Sequence, residues 1–298
     1  ATTIYGNIIN ALEDLKEVIG YPAVINGELM LRGFSRGVSN GYIARIININ
    51  TWMDSEKPAN IKKAQKSIKE LEHDSGATFN ELVDRVYIEC WDIIPYDKYL
   101  DGYDETERTE RLKFMQCKLS ELDSPYIEPQ EAIWCETFED VIKDFKEKLD
   151  ADLEGTVVKS KICPWKNGKT SEQYKMKVEF EVEMRIIGFN KGTIGTKNEN
   201  TISSLRLSSE CGQMICNADG IEDVVKKKDY CKDDFLNNQE AWMGDIVTMK
   251  CNGLSDNKQG GKNFYYPKYV GKRDDKTVAN TKDEIIAIEK EILELKGK

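Results

Sequence analysis

Leu153-Glu154-Gly155-Thr156-Val157-Val158-Lys159 opens as a short strand, a basic loop follows, and Tyr174-Lys175-Met176-Lys177 reads as a second strand. Beyond Lys177 the texture of the chain changes. Phe180 to Phe189, Leu205 to Ser209, Met214 to Asn217, Asp245 to Cys251 and Phe264 to Val270 are five β-patterned runs, interrupted by one charged helical stretch around Ile221 to Leu236. Five strands match the count of a small OB-type barrel, and the natural boundary falls near Glu179. After the barrel, Asp283 to Leu295 reads as a helix with Ile285, Ile288, Ile292 and Leu295 on one side.

Upstream the pattern is mixed α and β. Ile8, Leu12, Leu15 and Ile19 share one helical face, which Gly20 and Pro22 end, and a strand runs from Ala23 to Leu31. Gly33 to Gly41, rich in glycine and serine, reads as a loop facing solvent or ligand. Then come a lysine-rich helix (Ala59 to Glu72), a strand (Val86 to Ile94), a helix (Thr106 to Leu119), a strand (Ala132 to Cys135) and a helix (Phe138 to Leu149) with Val141, Phe145 and Leu149 on its buried stripe. The expected class is α+β, with one domain of antiparallel sheets over residues 1–179 and a barrel with a C-terminal helix over 180–298. A chain of 298 residues suits two modules.

Net charge −10 with 32 % charged residues excludes a globally basic nucleic-acid binder, so any grip on phosphate must be local. Eight scattered cysteines without a Cys-x-x-Cys pair, and one histidine, His73, argue against zinc, a disulfide framework and Ser-His-Asp or Cys-His chemistry. No apolar run approaches the ~20 residues that span a bilayer. A soluble, monomeric, cytoplasmic protein is expected.

Four constellations carry chemistry. In Ile25-Asn26-Gly27-Glu28-Leu29 a carboxylate sits on an apolar strand; its bland alternative is a strand-edge glutamate facing water. Cys90-Trp91-Asp92 offers an aromatic surface for a purine beside a carboxylate, or simply a core tryptophan. The window from Lys159 to Lys177 holds Lys159, Lys161, Lys166, Lys169, Lys175 and Lys177 against Glu172 alone, a local charge of +5 that attracts phosphate unless it is only a solvated loop. Lys175 and Lys177 alternate on one strand and so point to one face, which favours an anion between them. Lys272-Arg273-Asp274-Asp275-Lys276-Thr277 follows the last barrel strand, as a functional element or a charged turn.

The order Asn-Gly-Glu-Leu, Trp-Asp, Glu-Gly-x-Val-x-Lys, Lys-x-Lys and Arg-x-Asp-Lys resembles the covalent nucleotidyltransferases, and within them the bacteriophage-type ATP-dependent DNA ligases. The likeness also takes in Ser35-Arg36, Ser39-Asn40-Gly41, Leu207 to Gly212 and Asn217-Ala218. It implies an adenylation domain followed by an OB-fold domain, with ATP and Mg2+ as cofactors and nicked duplex DNA as partner, as replication and repair require. Within this resemblance Lys175 and Lys177 would bind the α-phosphate. Arg273 and Lys276 would orient the pyrophosphate leaving group. Glu28 would contact the ribose or support the metal, Trp91 would stack on adenine, and Glu154 would hold the metal with Lys159 nearby. Ser35, Arg36, Asn40, Lys161, Lys166 and Lys169 would meet nucleic acid. Asn26 replaces the aspartate common in the family's corresponding motif.

The family reaction needs a nucleophilic lysine in Lys-x-Asp-Gly, forming lysyl-AMP, then DNA-adenylate, then the sealed strand. Here Asp101-Gly102 is preceded by Tyr99 two places before the aspartate, and Asp219-Gly220 by Asn217. The motif is therefore expected upstream of Ala1, lost by truncation, which leaves this chain unable to self-adenylate. An RNA ligase or capping guanylyltransferase shares the motif order, and a non-catalytic nick- or DNA-binding module would use the basic window and barrel alone.

Overall fold

The computed structural model describes residues 5–34, 36–55, 57–151, 153–196, 198–221, 231–256 and 261–295. They group into two compact units: Ala1–Val141 with Glu147–Lys175, and Ile142–Lys146 with Met176–Lys298. Among the described residues no helix is long and apolar enough to cross a membrane.

The first unit begins with α1 (Gly6–Ile19), β1 (Ala23–Leu31), α2 (Arg36–Asp54), α3 (Pro58–Ser75), α4 (Phe79–Asp84) and β2 (Val86–Pro95). It continues through α5 (Tyr96–Asp101), β3 (Tyr103–Asp104), α6 (Arg108–Leu122), β4 (Ile127–Pro129), α7 (Phe138–Asp150), β5 (Gly155–Lys159), β6 (Trp165–Lys166) and β7 (Gln173–Lys177), although α7 and β7 run across the division. In α1, Ile8, Ala11, Leu15 and Ile19 are buried, and Gly20 ends the helix in the left-handed region (φ +83°), its amide donating to the Lys16 carbonyl. Ala11, Leu15 and Ile19 pack with Cys90 and Ile93 of β2 and with Leu112, Met115 and Leu119 of α6.

The central sheet has the order β1-β2-β4; β1 and β2 are antiparallel, and β4 adds parallel to β2. The strand expected over Ala132 to Cys135 is not there. The Gln130 amide donates to the Cys90 carbonyl at 2.7 Å just after Pro129, the ladder stops, and Ile133 and Trp134 stand exposed. The loop expected over Gly33 to Gly41 is also largely wrong, because α2 starts at Arg36. Ile43, Ile46 and Ile49 make a buried helical stripe against Leu31 and Val86, and the buried Ser39 hydroxyl accepts from the Leu31 amide at 2.9 Å. Packing of that stripe overrides the loop-forming tendency of glycine and serine.

The β1–β2 ladder carries a bulge at the motif residues. Asn26 faces Asp92 and Gly27 faces Cys90, which leaves Trp91 as the extra residue. A Cβ on Gly27 would lie 2.7 Å from both the Glu89 carbonyl oxygen and Ile88 Cγ2. Gly27→Ala is therefore expected to lower stability by about 1–3 kcal/mol through overpacking against backbone. Urea unfolding checks this, and an unchanged midpoint would show that the ladder yields freely.

The second unit contains β8 (Phe180–Lys191), β9 (Ile202–Ser208), β10 (Ile215–Ala218), α8 (Lys232–Asn237), α9 (Gln239–Trp242), β11 (Ile246–Cys251), β12 (Leu254–Asp256), β13 (Lys262–Phe264), β14 (Lys268–Lys272) and α10 (Lys282–Leu295). Of the charged helical stretch expected around Ile221 to Leu236, residues 222–230 lie outside the described residues. Phe180, Val182, Met184 and Ile186 point inward along β8 while the residues between them face outward. The sheet order is β10-β9-β8-β11-β14. Its two edges meet where Asp219 bridges Lys268 in parallel and the Tyr269 amide donates to the Asp219 carbonyl at 2.7 Å. Five strands thus close into an OB-type barrel. Phe235 of α8 is fully buried, its ring 4.6 Å from Trp242 and 5.5 Å from Tyr269.

Candidate active site

Asp92 is the pivot of the first unit's chemistry. The bulge at Trp91 shifts the alternation of β2, and Asp92 turns inward, 4 % exposed. There its Oδ1 meets Arg111 Nε at 3.2 Å, and its Oδ2 meets Arg111 Nη2 and Arg108 Nη1, each at 3.2 Å. Arg108 and Arg111 are one helical turn apart at the start of α6 and are both buried. Trp91 and Asp92 therefore do not make the shared surface that their adjacency suggested. The carboxylate belongs to a buried ion network, and Trp91 remains half-buried beside it.

Two guanidiniums against one carboxylate leave excess positive charge, and Lys159 at the end of β5 feels it. Burial first, then the charges of Arg108 and Arg111, push its amine from 10.5 down to about 8, with Asp92 opposing. The unfolded chain then holds more protons between pH 8 and 10.5, so this group's contribution to stability rises with pH across that window and is lost as pH falls through about 8. Lys159→Met should flatten that part of a urea-stability profile. A profile identical to the parent's would mean that the amine is not held down.

The start of α6 is also tied to the basic loop. The Thr109 amide and hydroxyl donate to the Lys161 carbonyl (3.1 and 2.9 Å), and Arg111 Nη1 donates to the Cys163 carbonyl at 3.1 Å. Lys161 itself pairs with Glu136 at 3.0 Å and lies over the Trp134 ring at 5.5 Å. Lys166 sits on β6, which pairs with β3, and Lys169 is exposed beyond it.

β5 pairs with β7, so the strand that starts at Gly155, just after Glu154, and ends at Lys159 adjoins the strand carrying Lys175 and Lys177. Lys175 is exposed, and Lys177 and Glu154 are half-buried. Glu28 lies on β1, directly across the ladder from Glu89, whose carboxylate takes a 3.4 Å contact from Gln130 Nε2. Among the described residues no group of three or more His, Cys, Asp or Glu gathers as a metal cage, and Glu154 and Glu28 would need outside ligands. Arg36 and Asn40 lie in the first turns of α2; Ser35 lies outside the described residues.

In the second unit, Arg273 follows β14. Its Nε and Nη2 fork onto Asp275 at 2.8 Å each, and its Nη1 meets Glu183. The Asp275 partnership pushes the guanidinium further up, and Arg273 in turn holds the Asp275 carboxyl down at about 2. To orient a phosphate, Arg273 has to exchange that carboxylate fork for it. Lys276 is exposed three residues on.

The residues missed in the sequence were Arg108, Arg111 and Glu89. The Arg-x-x-Arg spacing after a charged turn was the available signal for the first two.

No family model matches the chain. It is 30 % identical to the DNA ligase of Enterobacteria phage T4 over 146 residues, 47 % of this chain and 29 % of that protein. It is 26 % identical to the DNA ligase of Escherichia phage T7 over 198 residues, 64 % of this chain and 53 % of that one. The chain thus spans less than a third of the T4 relative's length and about half of the T7 relative's. The solved structure "Pmar-Lig_PreS3" superposes with a TM-score of 0.56 at 15 % identity, over 91 % of this chain and 56 % of that one. "Pmar-Lig_Pre." does so with 0.55 at 16 %, over 92 % and 56 %. The chain thus shares the fold of these two structures, and over the matched stretches its sequence is similar to those of the bacteriophage DNA ligases.

Proposed function

We propose that the chain acts as an ATP-dependent DNA ligase that seals nicks in duplex DNA, working as a monomer in the cytoplasm. The observation that carries this is the pairing of β5 with β7, which joins the strand that follows Glu154 and ends at Lys159 to the strand of Lys175 and Lys177. Two ammoniums on one face of β7 suit a phosphate whose charge grows during attack, and groups already in place stabilise that charge without reorganising. In this reading Lys175 and Lys177 hold the α-phosphate of ATP or of a 5′-adenylated end, Trp91 stacks on adenine, and Lys159 adds charge nearby. Arg273 and Lys276 orient the pyrophosphate. Arg36, Asn40, Lys161, Lys166 and Lys169, with Ser35, meet the DNA.

In this reading Glu154 and Glu28 would offer oxygen donors to magnesium, which bound through one or two carboxylates completes its shell with water and substrate phosphate. When bound it would stabilise negative charge on the phosphoryl oxygens.

In the sealing step, the 3′-hydroxyl oxygen bonds to the 5′-phosphorus, the bond from that phosphorus to the AMP oxygen breaks, and AMP leaves with the electron pair. The hydroxyl proton passes to solvent. This step needs no lysine nucleophile, so a nick made with a 5′-adenylate isolates it. The chain with magnesium should join that nick without added ATP and release one AMP per join. Tight binding without joining would favour the DNA-binding module, and transfer of GMP to RNA ends would favour a capping enzyme.

A further inference from the structure

On α3, Lys62, Lys66, Lys69 and His73 follow one another at helical spacing and fall within about 60° of arc. All four are exposed, while Ala64 and Leu71 on the opposite side are fully buried. No carboxylate lies in that arc. Glu70 flanks it and pairs with Lys66 at 3.7 Å, and Asp74 is taken up by Arg45 of α2 at 2.9 Å and by His73 at 3.6 Å. Arg45, Lys69 and His73 line a shallow cavity of about 640 Å³ together with Glu70 and Asp74. On a chain of net charge −10 this stripe is a local concentration of three exposed lysines, and the ion pair between Lys66 and Glu70 is itself at the surface.

We propose that α3 is a second contact for the phosphate backbone, holding duplex DNA outside the nick. This rests on DNA being the substrate. The four side chains extend over about 16 Å of helix, the rise of about five phosphates of one DNA strand. The contact reads no sequence, because ammonium groups meet only phosphate oxygens.

The test compares Lys62→Gln/Lys66→Gln/Lys69→Gln with a matched variant of exposed lysines elsewhere, Lys16→Gln/Lys113→Gln/Lys290→Gln. Both should keep the parent's thermal midpoint, since every altered side chain is exposed. Anisotropy of a labelled, long nicked duplex is titrated at several salt concentrations. The α3 variant should lose about tenfold or more in affinity at low salt. Its slope of log K against log salt should become shallower by about 2–3, near 0.9 per lost contact, while the matched variant stays close to the parent. Equal losses in both variants, or no change in slope, would overturn the proposal. So would loss of binding only to phosphatidylserine-containing vesicles with duplex affinity intact. Joining of the 5′-adenylated nick by the parent reports on the ligase reading separately, so that joining with an unchanged slope sinks the α3 contact alone.

Discussion

Asp92→Ala is expected to destabilise the first unit by about 3–5 kcal/mol, the largest effect of any single substitution away from the reacting groups. The side chain is 4 % exposed and is the only carboxylate paired with Arg108 and Arg111 among the described residues, both of which are themselves buried. Removing it strands two guanidiniums in a low-dielectric pocket and withdraws the charge that opposes the downward pull on Lys159. The Lys159 amine should then fall below its present value of about 8, so one variant has two readouts: a urea midpoint and an amine titration. The triple replacement Asp92→Leu/Arg108→Leu/Arg111→Leu should recover much of the loss, because apolar groups of fair shape can replace a buried ion network with little penalty. A loss below about 1 kcal/mol in Asp92→Ala would mean that water reaches the arginines and that the network is not a buried one.

Lys175→Ala and Lys177→Ala should each slow joining of a 5′-adenylated nick by about 100- to 1000-fold, the range seen when one preorganised charge-stabilising donor is removed. Both residues lie on β7, two apart, and alternation turns them to the same face. Single-turnover rates at saturating enzyme separate this from binding. Affinity for the same nick should change by less than about tenfold, because only charge that develops during attack is lost. Lys177→Arg, which keeps the charge but alters its geometry, should restore part of the rate. If both alanine variants join at close to the parent rate while duplex affinity falls, the lysines contact DNA without acting on the reacting phosphorus, and the chemistry lies elsewhere.

Much of the fold was legible because its signals are local. The periodicity of Ile8, Leu15 and Ile19, the glycine after Ile19, and the alternation from Phe180 to Ile186 each lie within a few turns or one strand, and each element formed where expected. Four barrel strands were legible for the same reason, whereas the run expected over Phe264 to Val270 is divided between β13, which ends at Phe264, and β14, which starts at Lys268. Closure of the barrel was not legible, since the bridge from Asp219 to Lys268 joins residues that no periodicity relates. Misreadings fell where composition and packing disagree. The run from Gly33 to Gly41 is loop-like in composition, yet the buried face of Ile43, Ile46 and Ile49 carries α2 back to Arg36. Ala132 to Cys135 is apolar enough for a strand, but the edge of the sheet is already occupied by β4.

The motif residues divide in the same way. Sequence alone determined their order, their spacing and the alternation that sets Lys175 and Lys177 two apart on one strand, because these are properties of neighbours along the chain. Only the tertiary structure decided that Trp91 occupies a bulge, that Asp92 therefore turns inward to Arg108 and Arg111, and that Lys159 loses part of its hold on its proton. The physical reason is that burial and Coulomb energy depend on distances through space, which a helix packing across a strand sets and which residue spacing does not encode.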